Sequence, residues 1–243
     1  MTAIPTTASA ASFTASSTAD DPADPPTLRG AIAVAEANGE ADVITLQSGA
    51  TYTLTDAEGD LDITTEITIE GNGATIDASG LGDRAFHVLA GGDLTISDVT
   101  VTGGRPGDAP SAAGGGSGGA FLNAGTLSIS GSVLDDNSAE RAGGAIEASA
   151  GSTTTLANTD LTNNATGAAP GNGGGLHLTG AGTVSITGGT VSGNTAAAEG
   201  GGLWNSGAGT MTVDGTTVTA NTASGATADQ GGGALTVLSP AGG

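Results

Sequence analysis

Apolar and polar positions in this chain follow one recurring stretch, most regular at Gly200–Asn221, where the residues run GGGLWNSGAGTMTVDGTTVTAN. The unit opens on Gly-Gly-x-apolar, passes a short turn, alternates apolar residues with Ser or Thr, and closes on Asn. The anchor ends at Phe121, Ile146, Leu176, Leu203 and Leu235, at intervals of 25, 30, 27 and 32 residues. A second landmark keeps the same period: Asn137, Asn164, Asn194 and Asn221 each stand three residues after an apolar residue, Leu134, Leu161, Val191 and Val218. Between them, Leu127/Ile129, Val184/Ile186 and Met211/Val213 alternate with polar residues, the mark of strands with one buried face.

A unit this short cannot bury its own apolar face, so successive units must stack around a shared core. The pattern predicts an all-β chain, a parallel β-helix of about seven coils with three short strands per coil. Phe86, Phe121, Ile146, Leu176, Leu203 and Leu235 are its inward anchors. Gly-Gly suits a corner where the backbone turns at positive φ. Asn suits the other corner, through left-handed φ and side-chain hydrogen bonds passed from coil to coil.

Three regions follow. Residues 1–26, ending in DDPADPP, have the composition of a disordered leader or linker. Thr27 is placed to N-cap a helix over Leu28–Asn38 that Gly39 stops, so residues 27–42 form an N-terminal capping helix over the open end of the solenoid. The β-helix proper is expected over 43–243, starting with strands at Val43–Leu46, Tyr52–Leu54 and Leu61–Ile69 and a turn at Gly71-Asn72-Gly73. After the long loop Gly104–Gly119, length varies only between Asn and Gly-Gly, at Ser138–Ala142, Ala165–Asn172, Thr195–Glu199 and Thr222–Gly231. These loops share one edge, where repeat proteins place binding function. The tail ALTVLSPAGG carries no cap signal, so the last coil is expected to be open, through truncation of a longer protein, a partner, or self-association.

Composition narrows the partners. The chain has no Lys, four Arg and 25 acidic residues, for a net charge of −21, which repels nucleic acid and anionic headgroups. No apolar run approaches the roughly 18 residues of a membrane span, and the first 17 residues lack a secretory pattern. Aromatics make up 2 % and Gly 45 of 243 residues, which fits a thin aliphatic core. Without cysteine there is neither a disulfide framework nor thiol chemistry.

Several stretches resemble a known family. TLRGAIAVAEAN at Thr27–Asn38, ADVITLQSGATYTLT, DLDITTEITIEGNGATID, RAFHV and LTISDVTVTGG are similar to bacterial and archaeal surface proteins in which a CSLREA-type segment leads into right-handed parallel β-helix repeats. NSAERAGGAI, NTAAAEGGGLWN and NTASGATADQGGGAL resemble the repeats of polymorphic outer-membrane adhesins. The chain departs from that pattern where Pro26 or Thr27 replaces Cys and Gly30 replaces Glu. The resemblance implies a right-handed coil and a secreted or surface-displayed protein, and it implies no particular enzymatic activity.

Candidate chemistry lies on the residue after each anchor, which must point outward: His87, Leu122, Glu147, His177, Trp204 and Thr236. Coils are about 4.8 Å apart, so Glu147, His177 and Trp204 form a contiguous outward row, a candidate glycan-binding site with an indole face beside a carboxylate and an imidazole. Polysaccharide hydrolysis would need paired carboxylates at roughly 5–9.5 Å, with Asp135, Asp136, Asp160 and Glu147 as candidates. Asp135, Asp136 and Asp160, near the Asn corner, are also candidate Ca²⁺ ligands. The two histidines lack a third soft ligand, which argues against zinc. The expectation is a non-catalytic structural or adhesive surface protein with no cofactor beyond Ca²⁺. A polysaccharide hydrolase or lyase and a self-assembling scaffold are its rivals.

Overall fold

A computed structural model describes residues 10–55, 59–107, 115–168, 170–226 and 231–237. Residues 1–9 of the expected leader, the middle of the Gly104–Gly119 loop, parts of two edge loops and the tail after Val237 lie outside them.

Alternating side chains produce three parallel faces. On face one, Leu61–Ile63, Phe86–Val88, Phe121–Asn123, Ile146–Ala148, Leu176–Leu178, Leu203–Asn205 and Leu235–Val237 form a seven-stranded parallel sheet, one rung per coil. Face two runs through Thr126–Ser130, Thr153–Ala157, Thr183–Thr187 and Thr210–Asp214; face three runs through Val133–Asp135, Asp160–Thr162, Thr190–Ser192 and Thr217–Thr219. In the early coils these two faces are one bent strand, Glu66–Asp77 and then Asp93–Thr102. Gly71-Asn72-Gly73, expected as a turn between elements, is the bend inside the first of these, with left-handed φ at Asn72 and Gly73 and a register shift between Glu70 and Ala74. Leu61–Ile69, expected as one strand, breaks after Ile63 because the chain turns there from face one to face two.

Each coil stacks its anchor on the next. Leu61, Phe86, Phe121, Ile146, Leu176, Leu203 and Leu235 occupy one register column. The first six are buried, and the Phe86 and Phe121 rings lie 5.1 Å apart and nearly parallel. Leu235 shares the column but is 40 % exposed, because no described coil stacks beyond it.

The two corner motifs act through different physics. In Gly-Gly the first residue takes positive φ (65° at Gly173), while the second touches the neighbouring coil: a Cβ at Gly174 would stand 2.2 Å from the Gly201 carbonyl oxygen. Two glycines are therefore required for two separate reasons. The Asn corner packs against this stretch, a Cβ at Gly175 standing 3.4 Å from the Asn194 amide, and its side chains form a largely buried ladder. Oδ1 of Asn164 accepts from the Asn137 backbone N–H at 3.0 Å, and Asn194 and Asn221 repeat the contact at 2.9 and 3.0 Å. Each Nδ2 donates back to the previous coil, to the carbonyls of Val101, Leu134, Leu161 and Val191. Left-handed φ, expected on these Asn residues, falls instead on the residue before each: Asp136, Asn163, Gly193 and Ala220. The Asn itself must aim its amide along the solenoid axis.

The helix Leu28–Asn38 forms as expected, with Thr27 Oγ1 accepting from the Gly30 N–H and Gly39 closing it at φ 71°. The disordered leader does not hold for residues 10–26. Ser12–Ala15 is a strand paired in parallel with Val43–Leu46, and the Tyr52 hydroxyl donates to the Ala15 carbonyl. Asp20 forms a buried ion pair with Arg29 at 2.7 Å, whose Nη groups donate to the Gly59 and Asp60 carbonyls. Gly30, the departure from the family Glu, also has a physical cause, since a Cβ there would lie 2.0 Å from the Asp24 carbonyl oxygen. The leader backbone crosses the helix at that point and permits only glycine.

Candidate functional site

The alternation that buries the anchors turns the next residue outward, and register aligns those residues into one column: Asp62, His87, Leu122, Glu147, His177, Trp204 and Thr236. The expected Glu147, His177 and Trp204 row exists. It is not the exposed platform expected of a sugar-stacking face, for the three residues are only 6, 6 and 8 % exposed. Edge loops supply the cover: Glu199, from the loop before the Trp204 coil, accepts from the indole N–H at 2.8 Å.

Within the row, polar groups are paired. His177 Nδ1 meets Glu147 Oε2 at 2.9 Å, and the Thr179 hydroxyl donates to Glu147 Oε1 at 2.6 Å. The imidazole stacks on Trp204, centroids 4.3 Å apart and planes 21° from parallel. A carboxylate thus orients an imidazole whose ring is braced by an indole, an arrangement that can bind through hydrogen bonds or relay a proton. Beside it opens a cleft of about 230 Å³, with Ser117, Arg141, Glu147, Ser149, His177 and Thr179 on its walls.

The other candidates lie apart from this cleft. Asp135 and Asp160 sit on strands of face three, a different sheet from Glu147, so they do not assemble with it as a carboxylate pair. Nor do Asp135, Asp136 and Asp160 gather as ligands of one ion. Asp135 lies opposite Thr162 and accepts from Thr162 and Asn163, Asp160 lies opposite Val133, and Asp136 pairs with Arg105 at 3.2 Å on the surface. Asp136 is turned from its neighbour by its left-handed φ.

Among the described residues, the one group of three carboxylate or imidazole ligands within 4.8 Å of one another is Asp60, Asp62 and His87. Reading Leu61–Ile69 as a single strand hid Asp62 from the outward column, although it precedes His87 by one 25-residue period. Asp60 precedes the Leu61 anchor at a corner, where no periodicity marks it. Burial pushes its carboxyl above the ordinary 3.8, and Arg84, donating from Nη1 at 2.8 Å, offsets this in part.

The family of right handed β-helix regions matches residues 61–238, most of the chain. The chain belongs to the right-handed β-helix family. Its register columns are those of a right-handed β-helix, and such a fold supports a structural or a polysaccharide-related role. No curated protein and no solved structure matched this right-handed β-helix. Among its described residues, no helix is long and apolar enough to cross a membrane.

Proposed function

We propose that the chain is an extracellular or cell-surface display rod, adhesive and non-catalytic, of the kind that the CSLREA-type and polymorphic outer-membrane-like repeats suggest. In this reading its edge cleft contacts carbohydrate. The observation that carries it is the grouping of Ser117, Arg141, Glu147, Ser149, His177 and Thr179 on the walls of one cleft, residue types suited to exchanging hydrogen bonds with sugar hydroxyls. At about 230 Å³, the cleft suits one sugar ring or a chain end. Trp204 then acts as a brace for His177 instead of a stacking face, since its N–H is committed to Glu199.

The test is a glycan array probed with wild type and with the Arg141→Ala/Ser149→Ala double variant, with and without calcium. Binding by the wild type that the double variant loses is expected. An array on which the wild type binds nothing, or on which both proteins bind alike, overturns the site. The oriented imidazole of His177 favours a second reading, a polysaccharide-acting enzyme, and turnover of a bound sugar would establish it.

A further inference from the structure

We propose that Asp60, Asp62 and His87 form a binding site for a divalent first-row transition cation, with Zn²⁺ as its representative. One ligand atom from each of the three lies within 4.8 Å of the others. Asp62 and His87 face each other in register on adjacent coils, so their backbones are held by the sheet. His87 Nδ1 and Asp62 Oδ1 are 3.4 Å apart. That is long for an N–H···O hydrogen bond, but a tetrahedral ion with bonds of about 2.0–2.1 Å keeps neighbouring ligands roughly 3.3–3.4 Å apart. The pair is therefore already spaced as one edge of such a coordination shell.

Asp60 supplies the third corner. Its backbone is tied down by Arg29, which donates to the Gly59 and Asp60 carbonyls, and Arg84 occupies one of its carboxylate oxygens. Asp62, with a side chain 62 % exposed, can close the remaining gap by rotating. A cavity of about 230 Å³ between the capping helix and the first coil, lined by Asp60, Asp62, Glu36 and Arg29, gives a hydrated ion its way in. One imidazole nitrogen with two carboxylate oxygens selects a borderline cation over Ca²⁺, which prefers six to eight oxygens.

Titration calorimetry of the untagged chain in metal-free buffer tests this, with Zn²⁺ and Ca²⁺ as probes. One Zn²⁺ per chain is expected, with Ca²⁺ weaker. His87→Gln or Asp62→Asn should each lower Zn²⁺ affinity by roughly tenfold or more. Asp135→Asn/Asp136→Asn, which removes charge from another part of the solenoid, should leave it unchanged. In the wild type, paramagnetic Co²⁺ should broaden the His87 ring resonances before those of His177, a readout that no variant's folding can confuse. Absent or unsaturable Zn²⁺ binding, full affinity in His87→Gln, or equal broadening of both histidines overturns the proposal.

Discussion

Two carboxylate–imidazole pairs stand on the same outward column of face one, each joining adjacent coils in register: Asp62 with His87, and Glu147 with His177. In the first, the atoms are 3.4 Å apart and the side chains are 62 and 27 % exposed; in the second they are 2.9 Å apart and the side chains are 7 and 8 % exposed. Strand alternation delivers both pairs equally. Both border a cavity, and they differ in what packs on them: Trp204 stacks on His177, Thr179 bonds Glu147 and Glu199 ties the indole, so the second pair is buried in the wall of its cleft, while the first stands partly in solvent. Enclosure lowers the local dielectric, which strengthens a made hydrogen bond and raises the cost of an unmade one. The enclosed pair is thereby held in one geometry across two coils, and the open pair stays free to exchange its partner for an ion.

The sharpest way to break this contrast is Trp204→Ala, which strips the brace from the enclosed pair. Loss of about 3 kcal/mol is expected, as for other large aromatic truncations, measured by the urea midpoint with an unchanged m-value. Next comes truncation of the carboxylates. Glu147→Ala should cost about 2 kcal/mol because it strands His177 and Thr179 in a buried setting, whereas Asp62→Ala should stay within about 0.5 kcal/mol. Equal losses in the two variants would mean that enclosure makes no energetic difference.

The smallest effect concerns Asp60, beneath the open pair. Its folded-state value lies above the ordinary 3.8, so the stability tied to its neutral form is fully present below that ordinary value and is lost as pH rises through the raised one. Asp60→Asn is neutral throughout. The Tm of wild type minus that of Asp60→Asn should therefore be larger at acidic pH than at pH 7, and a gap that shrinks on acidification would reverse the assignment.

The local pattern of this sequence carried the solenoid: the period of the anchors, the helix with its Thr27 and Gly39 caps, and the common row of Glu147, His177 and Trp204. Each depends on spacing along the chain, which alternation and stacking convert directly into position. Composition suggests disorder for residues 10–26, yet Asp20 and Ser12–Ala15 gain their order from Arg29 and Val43–Leu46, partners that composition cannot reveal. Register similarly separated Asp135 and Asp160 and aligned Asp62 with His87.

What the sequence determined by itself was which side chains point in and which point out, because a period of two is a property of the backbone. Whether an outward side chain meets water was decided by the tertiary structure alone. Edge loops between Asn and Gly-Gly obey no period, and they fold over Glu147, His177 and Trp204 while leaving Asp62 at an open cavity. Burial of an outward residue depends on contacts between distant segments, and those exist only once the coils have stacked.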